Sequence, residues 1–222
     1  MTSPERVDPR RVVVVGASGF GRECLDVLEA MVESGSAIEV AGVVDDDPST
    51  ENLRRLSDRG LAHVGSVDDF MEAGDTSVEY VLGVGSPRMR RLLVERLEAG
   101  GFAAFAAIHP SALVGSVPAF GDGVVLCAGV VVSTNVRLGR HVHVNPNATI
   151  GHDAELLDYV SVNPSAVISG DVVVESGTLV GANATILQGL RVGQGAVIGA
   201  ASVVTRDVPG AVVVMGVPGV WR

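Results

Sequence analysis

Gly151-His152-Asp153 sets an imidazole beside a carboxylate. A carboxylate within hydrogen-bonding reach orients a histidine ring, fixes its tautomer and raises its basicity, which is what a general base for an amine or hydroxyl nucleophile requires. The same pair could be a solvent-facing contact at a turn, and spacing alone favours that plainer reading. Of the other histidines, His63 lies in a polar loop and His109 precedes Pro110, so both read as structural or exposed.

A second constellation lies near the N-terminus. Arg11 to Val15 reads as a buried strand running into Gly16-Ala17-Ser18-Gly19-Phe20-Gly21, and Arg22 to Val32 then has helical spacing of Leu25, Leu28 and Val32. Strand, glycine turn and helix make the first unit of a nucleotide-binding fold, where helix-end N–H groups can hold phosphate. The spacing is G-x-x-G-x-G rather than the dinucleotide fingerprint, which argues against a hydride-transfer cofactor. A second strand, Val40 to Val44, ends in Asp45-Asp46-Asp47. Asp45 and Asp46 stand where a carboxylate accepts hydrogen bonds from a ribose or base, or where an acidic turn simply faces water. A third strand, Val78 to Val84, meets Gly85-Ser86, Pro87 opens another helix, and Phe102 to Ile108 is expected as the last strand. Three or four strands and two or three helices fit, enough for one nucleotide at the carboxyl ends of the strands.

The elements that must carry His152 follow from a period of six. From Val114 to Val204 every sixth residue is bulky and apolar, as in Leu126, Val132, Leu138, Val144 and Ile150, and the fourth residue after each is mostly small or β-branched. A helix repeats at 3.6 and an ordinary strand at 2, so this is a hexapeptide parallel β-helix with one short strand per step. Gly115, Gly121, Gly139, Gly151, Gly181, Gly193 and Gly199 follow the bulky position directly, where the coil is expected to turn a corner. Three faces of six give an 18-residue coil, and about five coils fit. Side chains then stack when 18 apart. No two histidines obey that spacing; His141 stacks on Tyr159 and His143 on Ser161, which argues against a zinc site and leaves the expectation of no metal. Asn145 and Asn163 do stack, as ordinary polar ladders do.

Composition narrows the partners. The 222 residues carry a formal net charge of −10, with sixteen basic residues, all Arg. Together with a pI near 4.9 this argues against nucleic acid, whose phosphates are met by a basic field. No basic stretch followed by an apolar signal core opens the chain, and no apolar run approaches a membrane span, so a soluble cytoplasmic protein is expected. Cys24 and Cys127 read as buried small hydrophobes rather than a disulfide.

Both halves together, an α/β Rossmann-like unit over residues 1–108 and an all-β solenoid over 109–222, resemble the bacterial nucleotide-sugar acyltransferases of the left-handed β-helix class. That group includes bacillosamine-type UDP-4-amino-sugar N-acetyltransferases, perosamine N-acetyltransferases and sialic acid O-acetyltransferases. The resemblance rests on the Gly16 to Gly21 opening, the acidic end of strand two, the hexapeptides, the Asn145 to Asp153 segment and the Met215-Gly216-Val217-Pro218-Gly219 ending. It implies acetyl transfer from acetyl-CoA to the amine of a UDP- or dTDP-linked amino sugar, with O-acetylation of a sugar or sialic acid hydroxyl as the alternative. It places the base on His152, its acidic partner on Asp153, and acceptor contacts among Gly16, Ser18, Gly19, Phe20, Gly21, Asp45, Asp46, Gly85, Asn145 and Tyr159. For CoA it implies close backbone approach at Gly170, Gly181, Ala182, Gly199, Ala200 and Gly216, with Arg191, Arg206 or Arg222 on the phosphates. A homotrimer with acetyl-CoA between subunits is implied too. Phe20 and the region of Tyr159 depart from the bacillosamine-type pattern, where histidines stand, so the sugar stays open. A zinc-dependent hydratase and a non-catalytic binding solenoid are the rival classes.

Overall fold

The computed structural model describes residues 8–221. Arg222 lies outside them. The first element, β1 (Arg10–Val15), holds four consecutive buried valines because it is central in a three-stranded parallel sheet and covered on both faces. Its neighbours are β2 (Ile38–Val44) and β3 (Glu79–Leu82), in the order β2-β1-β3. Four helices accompany the sheet: α1 (Gly19–Glu33), α2 (Thr50–Asp58), α3 (Val67–Ala73) and α4 (Pro87–Ala99). Two of them, α2 and α3, were not located in the sequence. α2 and α3 each bury one residue, Leu56 and Val67, and are set by side-chain caps at Ser49 and Ser66 rather than by a long apolar stripe.

The expected last strand is divided. Ala104 makes an isolated bridge to Tyr80, whereas β4 (Ala107–Ile108) pairs with Val125–Leu126 and so begins the solenoid. From there the chain winds as a left-handed parallel β-helix with faces of seven, six and five strands. The seven-stranded face makes six steps, one more than the hexapeptides alone suggest, because β4 and Val213–Val214 extend it at both ends. Register is as the spacing predicts: His143 pairs with Ser161, Thr149 with Val167, Glu155 with Val173. Leu126, Val144, Ile150, Leu156, Val162 and Ile168 fill the interior at 0% exposure. Burying each such side chain is worth about 1.5–3 kcal/mol, and each also closes a ladder step.

The glycines after the bulky positions have a different cause from the one expected. The corner residue with left-handed backbone is the third after the bulky one, as at Asn135, His141, Asn147, Asp153 and Tyr159. Gly151 and Gly181 are needed because a Cβ there would lie 2.5–2.6 Å from the backbone of the next coil. They mark close approach between coils rather than turning.

Candidate functional site

His152 projects from the corner that follows strand Thr149–Ile150. Its Nδ1 lies 2.7 Å from Asp153 Oδ2, and the other oxygen of that carboxylate accepts from Asn135 Nδ2 at 2.9 Å, one coil below. Asp153 is the left-handed corner residue itself, φ 59, so backbone geometry turns its side chain back along the coil. The Asn135 amide, then His152, hold the Asp153 carboxyl below the usual range. With Nδ1–H donated to Asp153, Nε2 keeps its lone pair. The ring lies against Gly170 in the coil above, where a Cβ would sit 2.5 Å from Cε1 and Nε2. Gly170, expected at the CoA site, is thus also the surface on which the His152 ring rests. His152, Asp153 and Asp171 form the one His/Cys/Asp/Glu group, among the described residues, close enough to share a cation; all three are exposed.

The glycine loop is built by mutual contact. Gly16 has φ +114, and a side chain at Gly21 would strike the Gly16 carbonyl, so α1 can start directly over the end of β1 only with these residues. Gly19, Phe20 and Gly21 form the first turn of α1, with Ser18 at its N-cap. Asp45 holds the loop from the neighbouring strand: its carboxylate accepts from Ala17 N at 2.7 Å and Asp47 N at 3.0 Å. Asp46 accepts from Val67 N, at the start of α3. Both carboxylates therefore organise the carboxyl end of the sheet from within the protein.

Between α1 and the solenoid corner that follows strand His143–Val144 is a cavity of about 270 Å³. It brings Gly19, Phe20, Gly85 and Asn145 together with Glu23 and His143, the last two unforeseen. Asn145 Nδ2 donates to Val162 O at 3.0 Å. Tyr159 does not line this cavity; it is buried and stacked on His141 at a centroid separation of 5.6 Å, and His141 in turn stacks on Tyr80 at 6.1 Å. Its backbone carbonyl is instead a partner of Arg90, the residue that most escaped the sequence reading. Arg90 is fully buried and donates to Tyr159 O, Ser161 Oγ, Val84 O and Gly85 O, tying α4 and the β3 loop to the solenoid. Without a carboxylate partner, burial lowers its pKa to about 10. Its spacing with Val94 and Leu97, one face of α4, was the available signal.

The expected CoA residues divide between two corners. Gly181 and Gly199 stand in the column of Asn145, each step being 18 residues as in the Asn145–Asn163 contact. Gly170 and Arg206 stand in the column of His152, where Ile150, Ile168, Ile186 and Val204 pair in register. The exposed Ala200 follows Gly199, and Ala182 follows Gly181. Arg206 is held over Trp221, 4.6 Å from its ring centroid, and Gly216 donates its N–H to Ser202 Oγ. His152 and the 270 Å³ cavity therefore sit on different corners, separated by one face of the β-helix. Cys127 is buried and its thiol is pushed up to about 12, so it offers no nucleophile. No helix among the described residues is long and apolar enough to cross a membrane.

Comparison with known proteins fits this arrangement. Residues 11–97 match the model of the PglD N-terminal domain. Over 146 residues the chain is 30% identical to the GDP-perosamine N-acetyltransferase of Escherichia coli O157:H7, an overlap of 66% of this chain and 64% of that protein, just under two thirds of its length. Among solved structures, PerB from Caulobacter crescentus in complex with CoA and GDP-perosamine superposes with TM-score 0.86 at 28% identity, covering 95% of this chain and 96% of that one. The acetyltransferase domain of PglB from Neisseria gonorrhoeae, in complex with acetyl coenzyme A, gives TM-score 0.85 at 27% identity over 96% of this chain and all of that one.

Proposed function

We propose that this chain, which is similar in sequence and fold to bacterial nucleotide-sugar N-acetyltransferases, transfers the acetyl group of acetyl-CoA to the amine of a nucleotide-linked amino sugar. The acceptor is of the 4-amino-dideoxy type, carried on UDP, dTDP or, as in the perosamine relatives, GDP. The observation that carries the chemistry is the Asn135–Asp153–His152 chain, with Nε2 of an oriented imidazole left free. His152 takes a proton from the amine as its nitrogen adds to the thioester carbonyl, and backbone N–H groups receive the oxyanion. The C–N bond forms, the C–S bond breaks, and His152 returns the proton to the departing CoA thiolate. No acyl-enzyme is formed, consistent with the protonated, buried Cys127 thiol.

Residues 1–108 hold the nucleotide sugar and 109–222 supply acetyl transfer. The acceptor cavity is on one solenoid corner and the base on another, so we assign the complete site to adjacent subunits of a homotrimer, with acetyl-CoA between their columns. Both substrates are metabolites of the cytoplasm, which is where we place the reaction. The test is thiol release from acetyl-CoA with UDP-, dTDP- and GDP-linked 4-amino and 3-amino sugars, wild type against His152→Ala. Turnover that is lost in the variant supports the proposal. Full turnover in His152→Ala removes the base, and a silent panel that still binds acetyl-CoA turns the assignment to a hydroxyl acceptor.

A further inference from the structure

His143 points outward from the β-helix, between Val125 and Ser161 on the same face, into the junction with α1. Its ring stacks on Phe20, centroids 4.8 Å apart, and it is 1% exposed. Neither ring nitrogen has a hydrogen-bond partner among the described residues. The polar neighbours are engaged elsewhere: Ser161 Oγ accepts from Arg90 and approaches Gly85 O, and the Asn145 amide donates to Val162 O. Burial, helped by the Arg90 charge, holds the imidazole well below its usual range, so it is neutral, with one N–H to give and one lone pair to accept. A buried polar group without a partner opposes folding, and an apolar ring of similar size would stack on Phe20 without that cost.

The ring does, however, form part of the wall of the 270 Å³ cavity, together with Phe20, Glu23, Gly85, Asn145 and Asn163. That volume is about nine liquid-water volumes, the scale of one substituted sugar ring. Phe20 is half-buried, and the space beside Gly19 is open, so the phenyl ring has room to turn aside.

We propose that His143 is a specificity residue for the acceptor: its imidazole hydrogen-bonds a hydroxyl of the sugar that enters this cavity as Phe20 yields. The inference rests on the nucleotide-sugar reading above. A site whose polar group is satisfied only by the right substituent discriminates strongly against sugars that lack it, because the unsuitable sugar leaves the imidazole buried and unpaired. His143 touches the acceptor's ring rather than its reacting amine, so binding of acetyl-CoA does not depend on it.

Two measurements decide this. In the first, kcat/KM for the accepted sugar nucleotide is compared in wild type, His143→Phe and His143→Gln. The phenylalanine variant loses about 10- to 100-fold, the worth of one hydrogen bond to a buried group, with KM for acetyl-CoA unchanged, and glutamine restores part of the loss. In the second, the ring nitrogens of 15N-histidine-labelled wild type are followed by NMR during addition of GDP-perosamine or the UDP- and dTDP-linked 4-amino sugars, against the bare nucleoside diphosphates. A His143 nitrogen resonance moves with a sugar nucleotide and not with the diphosphate. His143→Phe retaining more than half of wild-type kcat/KM, or a resonance that no sugar nucleotide moves, overturns the proposal. If no sugar in the panel is acetylated, the transfer reaction fails while the resonance still decides the role of His143.

Discussion

Gly170→Ala separates catalytic geometry from folding. The added methyl would lie 2.5 Å from both Cε1 and Nε2 of His152, where carbon contacts settle near 3.5 Å, so the ring must retreat by about 1 Å. His152 is exposed, so its ring can be pushed out toward solvent, the fold can absorb the change and the thermal midpoint stays within a few degrees of wild type. The Nε2 position cannot absorb it: a displacement of about 1 Å at a reacting centre costs on the order of 100-fold in rate. Gly151→Ala is the control, because its methyl would meet Gly170 N at 2.5 Å and the Ser169 carbonyl carbon at 2.6 Å, backbone atoms that cannot yield without prising two coils apart. The expected pattern is a folded, nearly inactive Gly170→Ala protein and a destabilised Gly151→Ala protein, read by coupled thiol-release kinetics and differential scanning calorimetry. Wild-type kcat in Gly170→Ala would refute the placement of the base against Gly170.

Asn135→Ala removes the 2.9 Å bond that steadies Asp153, so the carboxyl rises toward its ordinary range and kcat falls about 2- to 10-fold with acetyl-CoA affinity unchanged; unchanged kcat speaks against the relay. Burial lowers the His141 pKa to about 4, against about 6.5 unfolded, so the unfolded chain binds the extra proton between those values. His141 therefore contributes a loss of stability as pH falls from 6.5 to 4, up to about 1.4 kcal/mol per pH unit, and none above 6.5. His141→Tyr, a residue already accommodated one coil above, should flatten that acid limb in melts recorded from pH 4.5 to 7.5. Arg90→Met removes the donor from five oxygen acceptors at the junction and should lower unfolding free energy by at least about 2 kcal/mol in urea titrations; an unchanged midpoint would show that the junction holds without it.

The β-helix was legible because each six-residue step wholly buries the same two positions, one bulky and one small or β-branched, and no other element imposes that period. The nucleotide-type unit was legible from a valine strand meeting glycines. α2 and α3 were not, since one buried residue each leaves no stripe to detect. Phe102 to Ile108 misled because an apolar run does not say which sheet it joins; Ala104 reaches β3 and Ala107 reaches the solenoid. At the site, the adjacency of His152 and Asp153 was visible, whereas Asn135 and Gly170 became meaningful only through contacts between coils. His143 was equally hidden: hexapeptide register places its side chain outside the coil, and only the docked α1 makes outside mean buried.

That docking explains an otherwise costly choice of corner residues. A left-handed corner suits Gly, Asn and Asp, yet His141 has φ 54 and Tyr159, one coil above, φ 62. Such conformations cost about 1–2 kcal/mol for residues with a Cβ. Both rings are buried, Tyr159 stacked on His141 and His141 on Tyr80 from β3, and the Tyr159 carbonyl accepts from Arg90 at 2.8 Å. The aromatic stack and the arginine thus offset corner strain only while the N-terminal unit is seated. Nearby, Arg140 pairs with Glu98 at the end of α4, adding a tie on the outer edge. A junction fixed at this many points holds Phe20 against His143 and Gly85 near Asn145 before any ligand arrives. The walls of this cavity come from both halves of the chain, so folding assembles them and an entering ligand has only to move the Phe20 ring aside.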